Sequence, residues 1–85
     1  MTHHQAIETI RGSLQTLLRL TPDEAAAVSG QTTPVELPRW TSLAHVQLVL
    51  ELERAFDVTF DADEIASLAS VAAILHALDR RSLLT

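Results

Sequence analysis

Residues 40–56 form a long helical pattern that no glycine or proline interrupts, so this stretch constrains the fold more than any other. At 100° per residue, its apolar side chains form two groups instead of one. The wider group is predicted to face the core and contains Leu48, Val49, Leu52, Ala55 and Phe56. The other group, the apolar stripe, contains Leu43, Val46 and Leu50 and is flanked by Gln47, Glu51 and Arg54. Because a helix in a small domain needs only one buried face, the apolar stripe is a candidate partner surface, with Ser42 at its N-terminal end.

The residues before this stretch predict a long helix and then a short one. Residues 2–20 carry a single helical stripe, made of Ile7, Ile10, Leu14, Leu17 and Leu18. Thr21 and Glu24 have the spacing of a capping box around Pro22, which suits the first helical position. The helix that they open is predicted to run for about two turns and to end with Gly30 in the left-handed conformation.

A loop is predicted from Gln31 to Arg39, because it contains two prolines and few apolar residues. Its isolated apolar side chains, Val35 and Leu37, are expected to fold back onto the bundle. Trp40, the only tryptophan, is expected to hold the end of the loop in place.

Two further helices are predicted after the main one, with Val58 and Phe60 turned toward the core between them. Asp61 and Glu64 form a second capping-box pattern, and the helix that they open is only a turn or two, anchored by Ile65 and Leu68. Ser70 caps a last helix, whose apolar stripe contains Val71, Ile74, Leu75 and Leu78. We therefore predict one all-α domain over residues 1–85, a small bundle of three longer helices with short ones in the connections.

Charge and composition exclude several classes of function. The formal net charge is −5, with six arginines and no lysine, so a nucleic-acid partner is not expected. The chain has no cysteine, and no apolar run is long enough to span a membrane. The N-terminus lacks the features of a signal peptide, so a cytoplasmic location is expected. The acidic residues between Glu51 and Glu64 form either a solvated face or the rim of a docking site.

The sequence gives no convincing catalytic or metal site. His45 follows Ser42 by three residues, but no carboxylate is placed to orient it, so a partly buried structural histidine is predicted. His3 and His4 are adjacent and cannot share a helix face, so we interpret them as a solvated N-terminus, with metal binding as the alternative. His76 lies off its helix stripe and is expected to face solvent. The residues alone indicate a non-enzymatic helical module with an apolar docking surface.

Several segments together resemble the acyl carrier protein family. They are Thr41-Ser42-Leu43, the run from Val46 to Glu53, Phe56-Asp57-Val58, the run from Asp61 to Ile65, and Ser70-Val71. In that family an Asp-Ser-Leu motif opens the second helix, and an apolar-acidic pattern ends at a phenylalanine. The resemblance covers nearly the whole chain and implies a small four-helix bundle of the acyl-carrier type. Such a bundle has three longer helices, a short third helix, and a long loop between the first and second. A discrete bacterial carrier of the polyketide or secondary-metabolite type is the most similar kind.

The resemblance implies that Ser42 carries 4′-phosphopantetheine as a phosphodiester. The thiol of that arm would hold acyl or aminoacyl intermediates as thioesters during polyketide or related natural-product biosynthesis. The implied partners are a phosphopantetheinyl transferase, an acyl- or aminoacyl-loading enzyme, and a ketosynthase or acyltransferase. Partner docking is expected at Thr41, Leu43, Val46, Gln47, Leu50 and Arg54, and the chain is expected to be a monomer that docks neither nucleic acid nor a membrane.

The chain departs from the family pattern at the motif itself. Thr41 stands where the family usually has aspartate. Threonine can still cap the helix, but it does not offer the charge that the family presents beside the serine, where the transferase holds its metal. Ala44, Gln47 and Arg54 also occupy positions that are commonly acidic in carriers of primary metabolism. The alternative is therefore an unmodified carrier-like helical bundle that acts as a protein-interaction module.

Overall fold

Residues 2–83 are described by a computed structural model, and in this range the chain is all-helical, without strands. The five helices there are α1 (His3–Leu18), α2 (Pro22–Ala26), α3 (Ser42–Phe56), α4 (Ala62–Ser67) and α5 (Val71–Arg80). The predicted helical bundle is confirmed, and the expected long loop between the first and second long helices contains the short helix α2. Within this range, no helix combines the length and the apolar character needed to cross a membrane.

Each helix begins at a side chain that accepts a hydrogen bond from a backbone N–H of the first turn. The predicted capping boxes at Thr21 and Asp61 are confirmed, and Ser70 caps α5 as expected. Thr2 forms a third capping box with Gln5, which was not predicted from the sequence. Because these caps satisfy donors that a helix leaves unpaired, they fix the first residue of each helix.

The prediction that Gly30 ends α2 in the left-handed conformation is wrong. The helix ends at Ala26, and the N–H of Val28 bonds to the carbonyl of Ala25 as the chain turns. This early turn buries Val28 in the core. Burial of this apolar side chain favours the turn over a second turn of helix. The left-handed helix ends occur instead at Arg19 and Asp57, with φ of 54° and 53°.

The core forms around α1, which contacts α2, α3 and α5. Its fully buried side chains of largest volume are Ile10, Leu14, Leu48, Leu52, Leu68, Ile74 and Leu78. Four of the five residues predicted for the wider group on α3 are buried, and the fifth, Ala55, is exposed. Ala44, at the other end of α3, is buried instead. The helical angle gives the side on which a residue lies, but not how far along the helix the neighbouring elements extend.

The loop between α2 and α3 is tied to the bundle at two points. Leu37 is buried as predicted, and the buried Thr32 accepts a bond from the Val71 N–H through its carbonyl. Val35 was predicted to fold back, but 89% of it is exposed. It lies in a turn in which the Glu36 N–H donates to the Thr33 carbonyl, and this turn sends Val35 outward and Leu37 inward.

In the C-terminal part of the described chain, α4 packs against the end of α5. Phe60 and Leu68 are buried, and Val58 and Ile65 pack partly buried against the core, as predicted. The Arg81 guanidinium lies 4.7 Å from the centre of the Phe60 ring and 2.5 Å from the Glu64 carboxylate. The short helix α4 is thus held at α5 by both apolar and charged contacts.

Candidate functional site

Ser42 is the first residue of α3 and is exposed. Its position follows from Thr41, whose side chain accepts a hydrogen bond from the Ala44 N–H at 3.3 Å and thereby begins the helix. The His45 N–H bonds to the Thr41 carbonyl. Within residues 2–83, the Ser42 hydroxyl and the N–H groups of Ser42 and Leu43 have no hydrogen-bond partner. Two free N–H donors therefore lie at the positive end of the α3 dipole, next to an accessible hydroxyl.

The apolar stripe is exposed, as predicted. Leu43, Val46 and Leu50 have exposed fractions of 70%, 50% and 59%. Of the flanking residues, Gln47 and Arg54 are exposed, and Glu51 is half-buried and forms an ion pair with Arg54. The stripe therefore continues from Ser42 along about two turns of α3, and its two charged flanking groups neutralise each other.

A groove of about 400 Å³ opens on the other side of Ser42, between the loop, α3 and α4. We call it the Ser42 groove. Its lining residues are Pro34, Trp40, Thr41, Ser42, His45, Val46, Ile65, Ala66 and Ala69. Val46 belongs both to this groove and to the apolar stripe, so the two surfaces meet beside Ser42.

His45 connects the walls of the groove. The Trp40 Nε1–H donates to His45 Nδ1 at 3.1 Å, and His45 Nε2 lies 3.0 Å from the Ile65 carbonyl oxygen. Because Nδ1 accepts from Trp40, Nε2 is the ring nitrogen that donates to the Ile65 carbonyl. The two rings stack with centroids 6.0 Å apart. The prediction of a partly buried structural histidine is confirmed, since both ring nitrogens are engaged away from Ser42.

From the sequence, Trp40 was predicted to hold the end of the loop and His45 to be structural, but neither their hydrogen bond nor the contact of His45 with Ile65 was predicted. Ile65 is 20 residues from His45, and no periodicity connects them. The groove depends on the way the loop and α4 return to α3, which is a long-range property. The sequence therefore indicated the serine and the stripe but missed the groove.

The acidic residues between Glu51 and Glu64 mostly serve structural roles. The Glu53 carboxylate accepts from the Phe60 N–H at 2.7 Å, and Asp61 and Glu64 form the capping box of α4. The hydrogen bond from the Arg81 guanidinium lowers the pKa of the Glu64 carboxyl below its ordinary value. Asp57, Asp61 and Asp63 are exposed, and the two interpretations of these acidic residues, a solvated face or the rim of a docking site, stay predictions.

The other three histidines do not line the Ser42 groove. His3, His4 and His76 are exposed, as predicted. Among residues 2–83, no group of three or more histidine, aspartate or glutamate side chains is arranged to hold a metal ion.

Comparisons with known proteins leave the family open. No family model, curated protein or solved structure matches the chain. The resemblance to acyl carriers is therefore supported by the quoted segments alone.

Proposed function

We propose that this chain is an acyl carrier protein whose Ser42 bears 4′-phosphopantetheine. The observation that carries the proposal is the placement of Ser42 at the start of α3, exposed, with free N–H donors and an exposed apolar stripe beside it. This combination adds to the support from the Thr41-Ser42-Leu43 motif. A serine at the start of a helix would alone be weak support. The carried groups are acyl or aminoacyl intermediates of a polyketide or related natural-product pathway.

The α3 N-terminus fits the phosphate of such an arm. A phosphodiester on the Ser42 oxygen would lie next to the unpaired N–H groups of Ser42 and Leu43 and the positive end of the helix dipole. Each favourable charge–dipole contact of this kind contributes about 0.3–1 kcal/mol at an exposed site. The absence of cysteine from the sequence is compatible with the proposal, since the arm supplies the terminal thiol that holds intermediates as thioesters.

This chain provides attachment and recognition, and no catalysis. His45 is the nearest candidate base, but both of its ring nitrogens bond to other groups, so it does not take the Ser42 proton. Attachment then requires a separate phosphopantetheinyl transferase. Tethering raises the effective concentration of an intermediate at each enzyme that docks on the chain.

The apolar stripe is the proposed docking surface for that transferase, for a loading enzyme, and for a ketosynthase or acyltransferase. Leu43, Val46 and Leu50 would provide apolar contacts, and Thr41, Gln47 and Arg54 would form their polar border. Because Arg54 pairs with Glu51, this surface lacks the acidic character of a general-purpose carrier. We infer that it docks a few dedicated enzymes.

Incubation with coenzyme A and a promiscuous phosphopantetheinyl transferase, followed by intact-mass measurement, tests the proposal. We expect the wild-type chain to gain the mass of one phosphopantetheine and Ser42→Ala to gain none. Ser67→Ala is the matched control, because Ser67 is also an exposed helical serine, and it should be modified like the wild type. An unmodified wild-type chain, or a modified Ser42→Ala variant, would refute the proposal.

Thr41 favours the second candidate, an unmodified bundle that acts as a protein-interaction module. Its hydroxyl is engaged in capping α3, and it brings no carboxylate to the serine. The exposed apolar stripe serves either function. An unmodified wild-type chain in the experiment above, with a typical carrier modified in parallel, would support this second candidate.

A further inference from the structure

The indole of Trp40 is tied to α3 by the hydrogen bond that its Nε1–H donates to His45 Nδ1 at 3.1 Å. Trp40 is 5% exposed and directly precedes Thr41, whose side chain caps α3. The position of this ring therefore determines where the loop ends at the start of α3, next to Ser42.

The two ring nitrogens of His45 respond differently to protons. Nδ1 accepts from Trp40 only while Nδ1 itself carries no proton. Nε2 donates to the Ile65 carbonyl whether or not Nδ1 is protonated. Once both nitrogens carry protons, two N–H groups face each other between Trp40 and His45, and this hydrogen bond is lost.

The elements around His45 bring no charged partner to the imidazole. The charged residues of the loop, α3 and α4 are Glu36, Arg39, Glu51, Glu53, Arg54, Asp63 and Glu64. Among residues 2–83, none of these side chains bonds to the imidazole or lines the groove beside it. Arg39 and Glu64 form ion pairs with other residues instead. The proton on the imidazole itself therefore decides whether the bond with Trp40 forms.

We propose that the hydrogen bond between Trp40 and His45 is a proton-sensitive latch on the end of the loop. With Nδ1 unprotonated, the latch holds Trp40 against α3. Protonation of His45 releases the Trp40 indole and keeps the bond to Ile65, so the loop loosens next to Ser42 while α4 stays attached. This inference goes beyond the proposed function and does not require modification of Ser42.

Hydrogen exchange of the Trp40 Nε1–H tests the latch, because the only tryptophan gives a single indole N–H signal in the NMR spectrum. Protection is expressed relative to free N-acetyltryptophanamide at the same pH, which removes the pH dependence of the exchange chemistry. Histidine changes its charge between about pH 8 and pH 5. Over this range we expect the protection to fall about two- to tenfold, the change that loss of one hydrogen bond predicts. Protection of the backbone N–H of Leu14, in the core, should not fall with it.

The variants His45→Asn and His76→Asn form a matched pair. The asparagine oxygen lies as many bonds from the backbone as Nδ1 does, and it accepts without titrating. The protection of Trp40 in His45→Asn should therefore be the same at both pH values. His76 is exposed on α5, so His76→Asn should lose protection as the wild type does. Far-UV circular dichroism checks that both variants fold.

Equal wild-type protection of the Trp40 indole at the two pH values, or the same loss in His45→Asn, would overturn the inference. A parallel loss at Leu14 would show that acid destabilises the whole bundle, which would overturn local release. If His45→Asn does not fold, the wild type still decides. The Trp40 indole shift and the His45 ring shifts must then change with the same midpoint pH, and different midpoints would overturn the latch.

Discussion

His45 joins three segments that are far apart in the chain. It belongs to α3, receives the Trp40 Nε1–H from the end of the loop, and donates to the Ile65 carbonyl of α4. A half-buried imidazole with both nitrogens engaged is expected to stabilise the fold, because each partner would otherwise lose a hydrogen bond in a partly dry site.

We predict that His45→Ala lowers the free energy of unfolding by about 1–3 kcal/mol, since it leaves the Trp40 and Ile65 groups without partners. Urea unfolding followed by circular dichroism measures this change. His76→Ala is the control, because His76 is an exposed histidine on another helix and its removal should be nearly neutral. Equal stabilities of the two variants would contradict the role assigned to His45.

Thr41 has a structural role, which is to cap α3, and a proposed functional role, which follows from the family resemblance. Aspartate caps a helix about as well as threonine, so Thr41→Asp should leave the free energy of unfolding within a few tenths of a kcal/mol. Under the proposed function, it would also place beside Ser42 the carboxylate that the acyl carrier family usually presents there. We therefore predict faster modification of Thr41→Asp than of the wild type, measured as the initial rate of mass gain. Thr41→Asn, which caps without charge, is the control and should not accelerate modification.

Helix α3 carries both a core face and an exposed apolar stripe. The core face explains why the helix is stable, whereas the side chains of the stripe are half or more exposed. An exposed apolar patch of this kind is typical of an interaction surface.

Leu50→Glu should impair acyl transfer from the cognate loading enzyme without unfolding the chain. Leu50 is mostly exposed, so the substitution removes an apolar contact at the interface and leaves the core intact. Ala55→Glu is the control, since Ala55 is exposed on α3 but lies outside the apolar stripe. Transfer by Leu50→Glu at the wild-type rate would contradict docking through the stripe.

The starts of α2, α4 and α5 were predicted because they depend on residues within one turn, although the capping box of α1 at Thr2 was not. The capping boxes at Thr21 and Asp61 and the cap at Ser70 needed only local sequence. The end of α2 was not predicted correctly, because burial of Val28 determines where the chain turns. Val35 was misplaced for a related reason, since the turn around it depends on backbone bonds and not on its hydrophobicity.

At the scale of the whole molecule, the Ser42 groove marks the limit of sequence-based prediction. Ser42 and the apolar stripe lie on one helix, so their spacing was enough to relate them. Pro34 and Ala69 lie on different segments, and they reach Ser42 only because the loop and α4 pack around α3. A single sequence does not give this packing, and the groove became visible only in three dimensions.

Charged contacts also connect distant parts of the chain. Glu64 of α4 pairs with Arg80 and Arg81 at the end of α5, at 3.4 Å and 2.5 Å. The hydrogen bond from Arg81 holds the pKa of the Glu64 carboxyl below the ordinary value of 4.5. A carboxyl whose pKa is lowered by folding stabilises the fold above its unfolded pKa, and this contribution is lost as pH falls through its folded pKa.

We therefore predict that Glu64→Gln flattens the pH dependence of stability on the acid side. Glutamine preserves the capping box with Asp61, so the substitution removes mainly the charge. Wild-type and variant chains are unfolded with urea between about pH 6 and pH 3, the range in which the carboxyl gains its proton. The wild-type advantage should shrink as the pH falls. Parallel curves for the two chains would show that the pairing with Arg81 does not stabilise the fold.

Modification of Ser42 is the central claim, and peptide mapping of the treated chain tests it most directly. Trypsin cleavage after Arg39 and Arg54 releases residues 40–54, a peptide whose only hydroxyl side chains are Thr41 and Ser42. After incubation with coenzyme A and a promiscuous transferase, we predict that this peptide carries one phosphopantetheine and that fragment ions place it on Ser42. An unmodified peptide, or phosphopantetheine on any other residue, would contradict the account.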